Sequence, residues 1–346
     1  MPITQNNRNA KAFGIVHPKK RVPRHLTFVL LLPLLAWGQD REPDKQTVIT
    51  TDAQLVLVSV TVTDKRGNFI DGLTVDDFRL TDDSVKQKLR LDTSDTIVAP
   101  VSLVVAIQSS GIAAPELVRI AQVGGMIKPI VAGDRGHVAV ITFDREVRVA
   151  QDFTTETNLI RNAFQQVRSV GLRGARMLDA VEEGIHQLEM RPADNRRVLL
   201  ILSESRDRGS KAKLEAVIEH AQHAGVLIFA GTYSVQAATF ASRPADAQPM
   251  PGGPDYIAGL NEIVRLGQKN AAAAFTDATG GRHFSFLKVG ALEDAISRTG
   301  QEIHSQYLLS YVPTSSKNAG FHPIKVAVPA YPDALIRART GYFPAK

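Results

Sequence analysis

The chain has 346 residues, 44% of them hydrophobic, enough for about two domains around a sizeable core. It contains no cysteine, which excludes disulfides, thiolate metal sites and cysteine nucleophiles. The net charge of +6 arises in residues 1–38, which hold Arg8, Lys11, Lys19, Lys20, Arg21 and Arg24 and no acid; beyond them basic and acidic residues balance, so the charge gives no argument for nucleic acid binding.

Residues 1–38 read as an export signal. A basic segment precedes the apolar run 26–36, which Pro33 interrupts. The run is about half the ~20 residues needed to span a bilayer. Ala36 and Gly38 supply small residues at the spaced positions that a signal peptidase reads, and cleavage is expected after Gly38. The alternative is an uncleaved anchor. The expected location is exported, periplasmic or at the cell surface, with no membrane span after cleavage.

Residues 39–53 are polar and read as a linker. From residue 54, Val56, Val58, Val60 and Val62 alternate with Ser59, Thr61 and Thr63, the pattern of a strand with one buried face. Lys65 to Asn68 is a turn, Phe69 and Ile70 begin a short strand, and Thr74 with Asp77 marks a helix start. Short strands are expected at 78–80 and 88–91, around the Asp82-Asp83-Ser84 turn.

After Pro100 strands alternate with helices. Val101 to Gln108 is an apolar run of the kind buried on both faces in a parallel sheet, and it stops at Ser109-Ser110-Gly111-Ile112. A helix follows from Pro115, then a strand 137–143 with an antiparallel partner at 146–150. Leu159, Ile160, Phe164 and Val167 mark one helix; Leu178, Val181, Ile185 and Leu188 mark another. A second apolar run, 197–202, ends in Ser203-Glu204-Ser205. Helix 211–223 and strand 226–230 follow, then a loop, 235–256, rich in Ala, Pro and Gly. A helix through Ile263, Leu266 and the alanines 271–274 stops at Gly280-Gly281, before a strand 283–286 and a helix 292–303.

This alternation predicts an α/β fold, a doubly wound, mostly parallel, Rossmann-like sheet with helices on both faces. The tail returns to strands at 306–312, 323–328 and 335–340, expected to complete the small β module begun at residue 54. The layout is therefore a signal peptide (1–38), a linker (39–53), the first part of the β module (54–98), the α/β domain (99–303) and the second part of the β module (304–346). In such a sheet ligands sit beyond the carboxyl ends of the strands, so the segment from Gln108 to Ile112 marks the candidate site.

The order of elements resembles a von Willebrand factor A domain. Val60 to Lys65 with Gly72-Leu73-Thr74 and Asp77-Phe78, then Thr279-Gly280-Gly281, Tyr307 to Pro313 and Arg339 to Tyr342, are similar to exported "VWFA-related" proteins known mainly from acidobacteria. The resemblance implies a Mg²⁺-dependent adhesion site built from Asp-x-Ser-x-Ser, a loop Thr and a later Asp. Such hard-oxygen ligands suit Mg²⁺ and leave a position for a partner's carboxylate. At the matching positions this chain has Gln108, Ser110, Ile112, Ala175 and Glu204. One hydroxyl, one neutral amide and one carboxylate survive, and Arg173 and Arg176 add positive charge. The adhesion site reads as degenerate. No metal or cofactor is expected; if an ion binds, Ser110 and Glu204 are its ligands. Asp144 and Asp207 would contribute only if a loop turned them inward.

Neither a nucleophile elbow, nor a zincin motif, nor a phosphate-binding or dinucleotide-binding glycine loop is present. His220 and His223, three apart on one helix, read as a solvated face with a shared metal as the alternative. Asp179 reads as a loop anchor rather than a general acid or base, and Tyr307, Tyr311 and Tyr342 as packing. The expectation is a protein-interaction or adhesion module with an unidentified protein partner, not an enzyme. A metal-dependent hydrolase and a purely structural envelope component are the alternatives.

Overall fold

The structure is a computed structural model, describing residues 55–91, 99–170, 174–233, 270–286, 290–314 and 320–344. The signal segment and linker, Arg173, the 235–256 loop, Ile263, Leu266 and the side chain of Ile112 lie outside the described residues. In chain order, β1 (Val56–Thr63), β2 (Arg79–Asp82), β3 (Val85–Lys86) and β4 (Arg90–Leu91) come first. Then follow β5 (Val101–Gln108), α1 (Ala114–Met126), β6 (His137–Phe143), β7 (Val147–Thr154), α2 (Thr157–Gln166) and α3 (Met177–Glu189). Next are β8 (Arg196–Ser203), α4 (Leu214–His223), β9 (Leu227–Thr232), α5 (Ala271–Thr279), β10 (His283–Ser285) and α6 (Ala291–His304). The tail holds β11 (Tyr307–Tyr311), β12 (His322–Ala327), β13 (Leu335–Arg337) and β14 (Gly341–Tyr342).

The central sheet has the order β10-β9-β8-β5-β6-β7. Every neighbouring pair is parallel except β6 with β7 at the edge. β5 is buried along its whole length because it lies mid-sheet with helices on both faces. Its alternate residues go opposite ways. Leu103, Val105 and Ile107 join a core with α1, α2 and α6, while Val104 and Ala106 join a core with α3, α4 and α5. This is the doubly wound α/β fold.

The chain leaves β5 through α1 on one face and leaves β8 through α4 on the other. Those connections diverge, so the carboxyl ends of β5 and β8 form the switch point, the place where such sheets hold ligands. Gln108 ends β5, and Glu204 is the first residue after β8.

Two four-stranded sheets flank this unit, in the orders β13-β1-β11-β4 and β14-β12-β2-β3. β1 pairs antiparallel with β11, Val56 opposite Tyr311 and Val60 opposite Tyr307. Chain from before and after the α/β run thus shares one core, with Val56, Val58, Val60 and Val62 packed among Phe78, Leu80, Leu309 and Tyr311. The two parts meet at Glu302 of α6, which is fully buried. Its carboxylate pairs with Arg282 at 2.7 Å and with Arg337 of β13, and accepts a 3.3 Å hydrogen bond from Thr61 of β1.

Local differences from the expected elements have physical causes. The Thr74 start makes a single 3-10 turn, Val75–Asp77, with the Thr74 amide donating to Asp77 at 2.7 Å. No apolar stripe follows to bury a longer helix. Phe69 and Ile70 form no strand; Phe69 makes one isolated bridge to Thr63. β7 is longer than expected, running to Thr154 after irregular pairing with β6 around Val138 and Val140. Tyr307, Tyr311 and Tyr342 are buried, and each hydroxyl has a task besides packing: Tyr307 donates to the Ile70 carbonyl, and the other two donate to Asp82.

Candidate functional site

Gln108, Ser110 and Glu204 come together at the switch point. Ser110 follows β5 by two residues, before the tight turn Gly111–Ala113. The Glu204 amide donates to Gln108 Oε1 at 2.8 Å. A backbone N–H can only donate, so the carbonyl side of the Gln108 amide must face it. The amide nitrogen therefore faces the opposite way, donating to Ser110 Oγ at 2.6 Å and to Glu204 Oε1 at 3.2 Å. The second carboxylate oxygen, Oε2, accepts from Arg208 at 3.0 Å.

Ala175, where the resemblance expects a threonine hydroxyl, is buried and offers only its backbone. That backbone pairs in both directions with Arg208, at 3.1 and 2.8 Å. It thereby sets where the Arg208 side chain starts. Ile112 lies on the 111–113 turn. Where the resemblance implies a carboxylate Gln108 presents an N–H, where it implies a threonine hydroxyl Ala175 presents a methyl group, and nitrogen donors hold both oxygens of the Glu204 carboxylate.

Asp144 and Asp207 have donors of their own, and Asp144 is turned inward, with the Ser109 hydroxyl 3.5 Å from its Oδ2. Asp144 is buried, and Arg148 donates to it at 2.8 Å and the Glu146 amide at 2.9 Å. Burial pushes the Asp144 carboxyl up, but these hydrogen bonds outweigh burial and hold it below the usual carboxylate range. Asp207 accepts from the Leu178 amide at 3.1 Å and from the Ser210 hydroxyl at 2.5 Å. Asp179 accepts from the Lys211 and Ala212 amides, both at 2.9 Å to Oδ1, so it anchors the later 204–213 loop where the loop before it was expected.

Two participants have no counterpart in the sequence reading. Arg208 was hidden because its loop, 204–213, has no periodicity from which a facing pair could be inferred. Tyr233, just past β9, is buried beside the site. Burial pushes its phenol well above the ordinary range, and the Glu204 and Glu116 carboxylates add to that.

Gln108, Ser110 and Glu204 are 0%, 1% and 7% exposed, so little of the matched motif itself reaches solvent. Several exposed side chains on the surrounding loops are basic, with the exposed Glu146 among them. The Arg208 side chain is 47% exposed. Arg145 and Arg168 on neighbouring loops and Arg206 and Lys211 on the 204–213 loop are also exposed. The solvated face expected for His220 and His223 holds for His223, which is exposed, while His220 is half-buried, and the two do not converge as the alternative of a shared metal would need. His223 turns to the carbonyls of Phe343 and Pro344, at 2.8 and 3.2 Å, whereas His220 faces α3.

The sequence matches no protein-family model and no curated protein. Among solved structures, the chain is similar to the conserved hypothetical protein BatB from Bacteroides thetaiotaomicron, at 12% identity and a TM-score of 0.42, over 59% of this chain and 98% of that one. It is similar to the vWF domain of the type V pili tip protein Mfa5 from Porphyromonas gingivalis, at 11% identity and a TM-score of 0.39, over 60% and 96%. A von Willebrand factor type A protein from Catenulispora acidiphila is 12% identical, with a TM-score of 0.43 over 73% and 51%. The fold assignment rests on the strand order of this chain itself.

Proposed function

We propose that the chain is an exported protein-interaction module of von Willebrand A type that holds an acidic segment of its partner without a bridging metal ion. The observation that carries this reading is Arg208. Its partly exposed guanidinium stands on the Glu204 carboxylate, at the switch point where the resemblance expects a cation to receive a partner's carboxylate. A guanidinium carries the charge and the paired donors that carboxylates accept. The exposed Arg145 and Arg168 on neighbouring loops and Arg206 and Lys211 on the 204–213 loop add basic charge that favours an acidic partner. No helix among the described residues is long and apolar enough to cross a membrane. Export rests on the basic and apolar character of residues 1–38. The reading gives the chain no catalytic step.

The test is capture of envelope proteins on the immobilised chain, in EDTA and in Mg²⁺. Retention is expected to be equal in the two, to fall with rising salt, and to drop several-fold for Arg208→Ala. Retention that requires Mg²⁺, or that survives Arg208→Ala at every salt concentration, overturns the reading.

A further inference from the structure

We propose that the paired faces of α3 and α4 form a binding site for a divalent transition-metal ion of the zinc class, with Glu182, His186 and His220 as ligands. The site lies away from the switch point, on the helices that cover one face of the sheet.

Glu182, His186 and Glu189 sit at four- and three-residue spacing on α3, hence along one face. His220 comes from the last turn of α4, packed alongside. The two imidazole rings meet edge to face with centroids 4.9 Å apart, between the two carboxylates. Glu189 Oε2 stands 3.0 Å from His220 Nε2 and 3.6 Å from His186 Nδ1. Glu182 Oε1 stands 2.9 Å from His220 Nδ1 and 3.6 Å from His186 Nε2. Each carboxylate thus faces one nitrogen of both rings.

A neutral imidazole has one N–H and one lone pair. If Glu189 accepts the N–H of each ring, both lone pairs point at the negative Glu182 oxygen. That arrangement calls for positive charge between them, supplied either by protons or by a metal ion. The second carboxylate oxygen, Glu182 Oε2, is buried and has no hydrogen-bond partner among the described residues.

The ligand spacing is close to what zinc requires. The three ligand atoms all lie within 4.8 Å of one another. Bonds of about 2.0–2.2 Å in a tetrahedron separate neighbouring ligands by about 3.3–3.6 Å. The two Glu182–histidine distances, 2.9 and 3.6 Å, bracket that range. Two imidazoles select a borderline ion over Mg²⁺ or Ca²⁺. Glu189 supplies the outer carboxylate that ordinarily orients metal-binding histidines. The His186 side chain is 58% exposed, which opens the site to solvent and leaves a fourth position for water or an external ligand. An ion there ties α3 to α4.

The test titrates Zn²⁺ into the full, tag-free chain by calorimetry and follows the melting temperature. The expected result is one equivalent bound, a raised melting temperature, and binding weakened at least about ten-fold by His186→Ala and by His220→Ala. Glu189→Gln should weaken it less, while His223→Ala and Glu204→Gln leave it unchanged. His186→Gln serves as a second, milder variant, and melting in EDTA shows that each variant is folded. No heat and no melting shift at about 100-fold excess Zn²⁺, or binding that persists in the double variant His186→Ala/His220→Ala, overturns the proposal.

Discussion

At the scale of single residues, the switch point is governed by one amide. Gln108 satisfies a backbone N–H with its oxygen and two side-chain oxygens with its nitrogen, all in a dry environment. Gln108→Leu keeps a similar volume but strands the Glu204 amide and removes a donor from its carboxylate. Leaving a buried group unpaired costs about 1–3 kcal/mol. Urea denaturation of Gln108→Leu should show a loss in that range with an unchanged slope. A variant as stable as the parent would mean that water reaches these groups. Gln108, Ser110 and Glu204 are legible as a group because each ends an apolar strand or follows one within two residues. Arg208 is not, because only the backbone pairing with Ala175 brings it back to the site.

At the scale of elements, the Thr279-Gly280-Gly281 sequence shows how a short motif can dock a helix. Thr279 accepts the Ile228 amide at 3.0 Å and donates to the Phe275 carbonyl at 2.8 Å. Gly280 has φ of +85°, ending α5 in the left-handed conformation that glycine adopts without strain. A Cβ on Gly281 would lie 1.9 Å from the Ile228 carbonyl oxygen, a backbone atom that cannot swing aside. Gly281→Ala should therefore force the end of α5 away from β9 and cost about 2 kcal/mol or more in a chemical melt. Wild-type stability would show that this junction tolerates displacement. The sequence announces the helix stop, but the close approach to β9 appears only once the helix is seated.

At the scale of the whole molecule, the α/β unit and the small sheets share the carboxylate of Glu302. Removing one partner from a buried ionic cluster costs about 3–5 kcal/mol. The Arg337 side chain is 27% exposed and can regain water, so Glu302→Ala belongs near the low end, about 3 kcal/mol. Differential scanning calorimetry should show a melting temperature lowered by several degrees. If the sheets and the α/β unit melt separately in the variant, Glu302 couples them; a single unshifted transition would contradict its role as a junction. Nothing at position 302 marks it in sequence, since a glutamate in an amphipathic helix ordinarily faces solvent.

What the sequence by itself determined is the set of elements and their order. Apolar runs, their periods and the glycines at helix ends are local signals, and each reflects the solvation and backbone preferences of its own segment. The parallel sheet, its central strand and the return of the tail to the β module follow from those signals. What only the tertiary structure decided is which side chains meet across long separations: Gln108 with Glu204, Arg208 with Ala175, Glu182 with His220, and Glu302 with Thr61 and Arg337. The reason is physical. A polar side chain's partner is set by where packing leaves it once the cores have formed, and no periodicity in the chain records that.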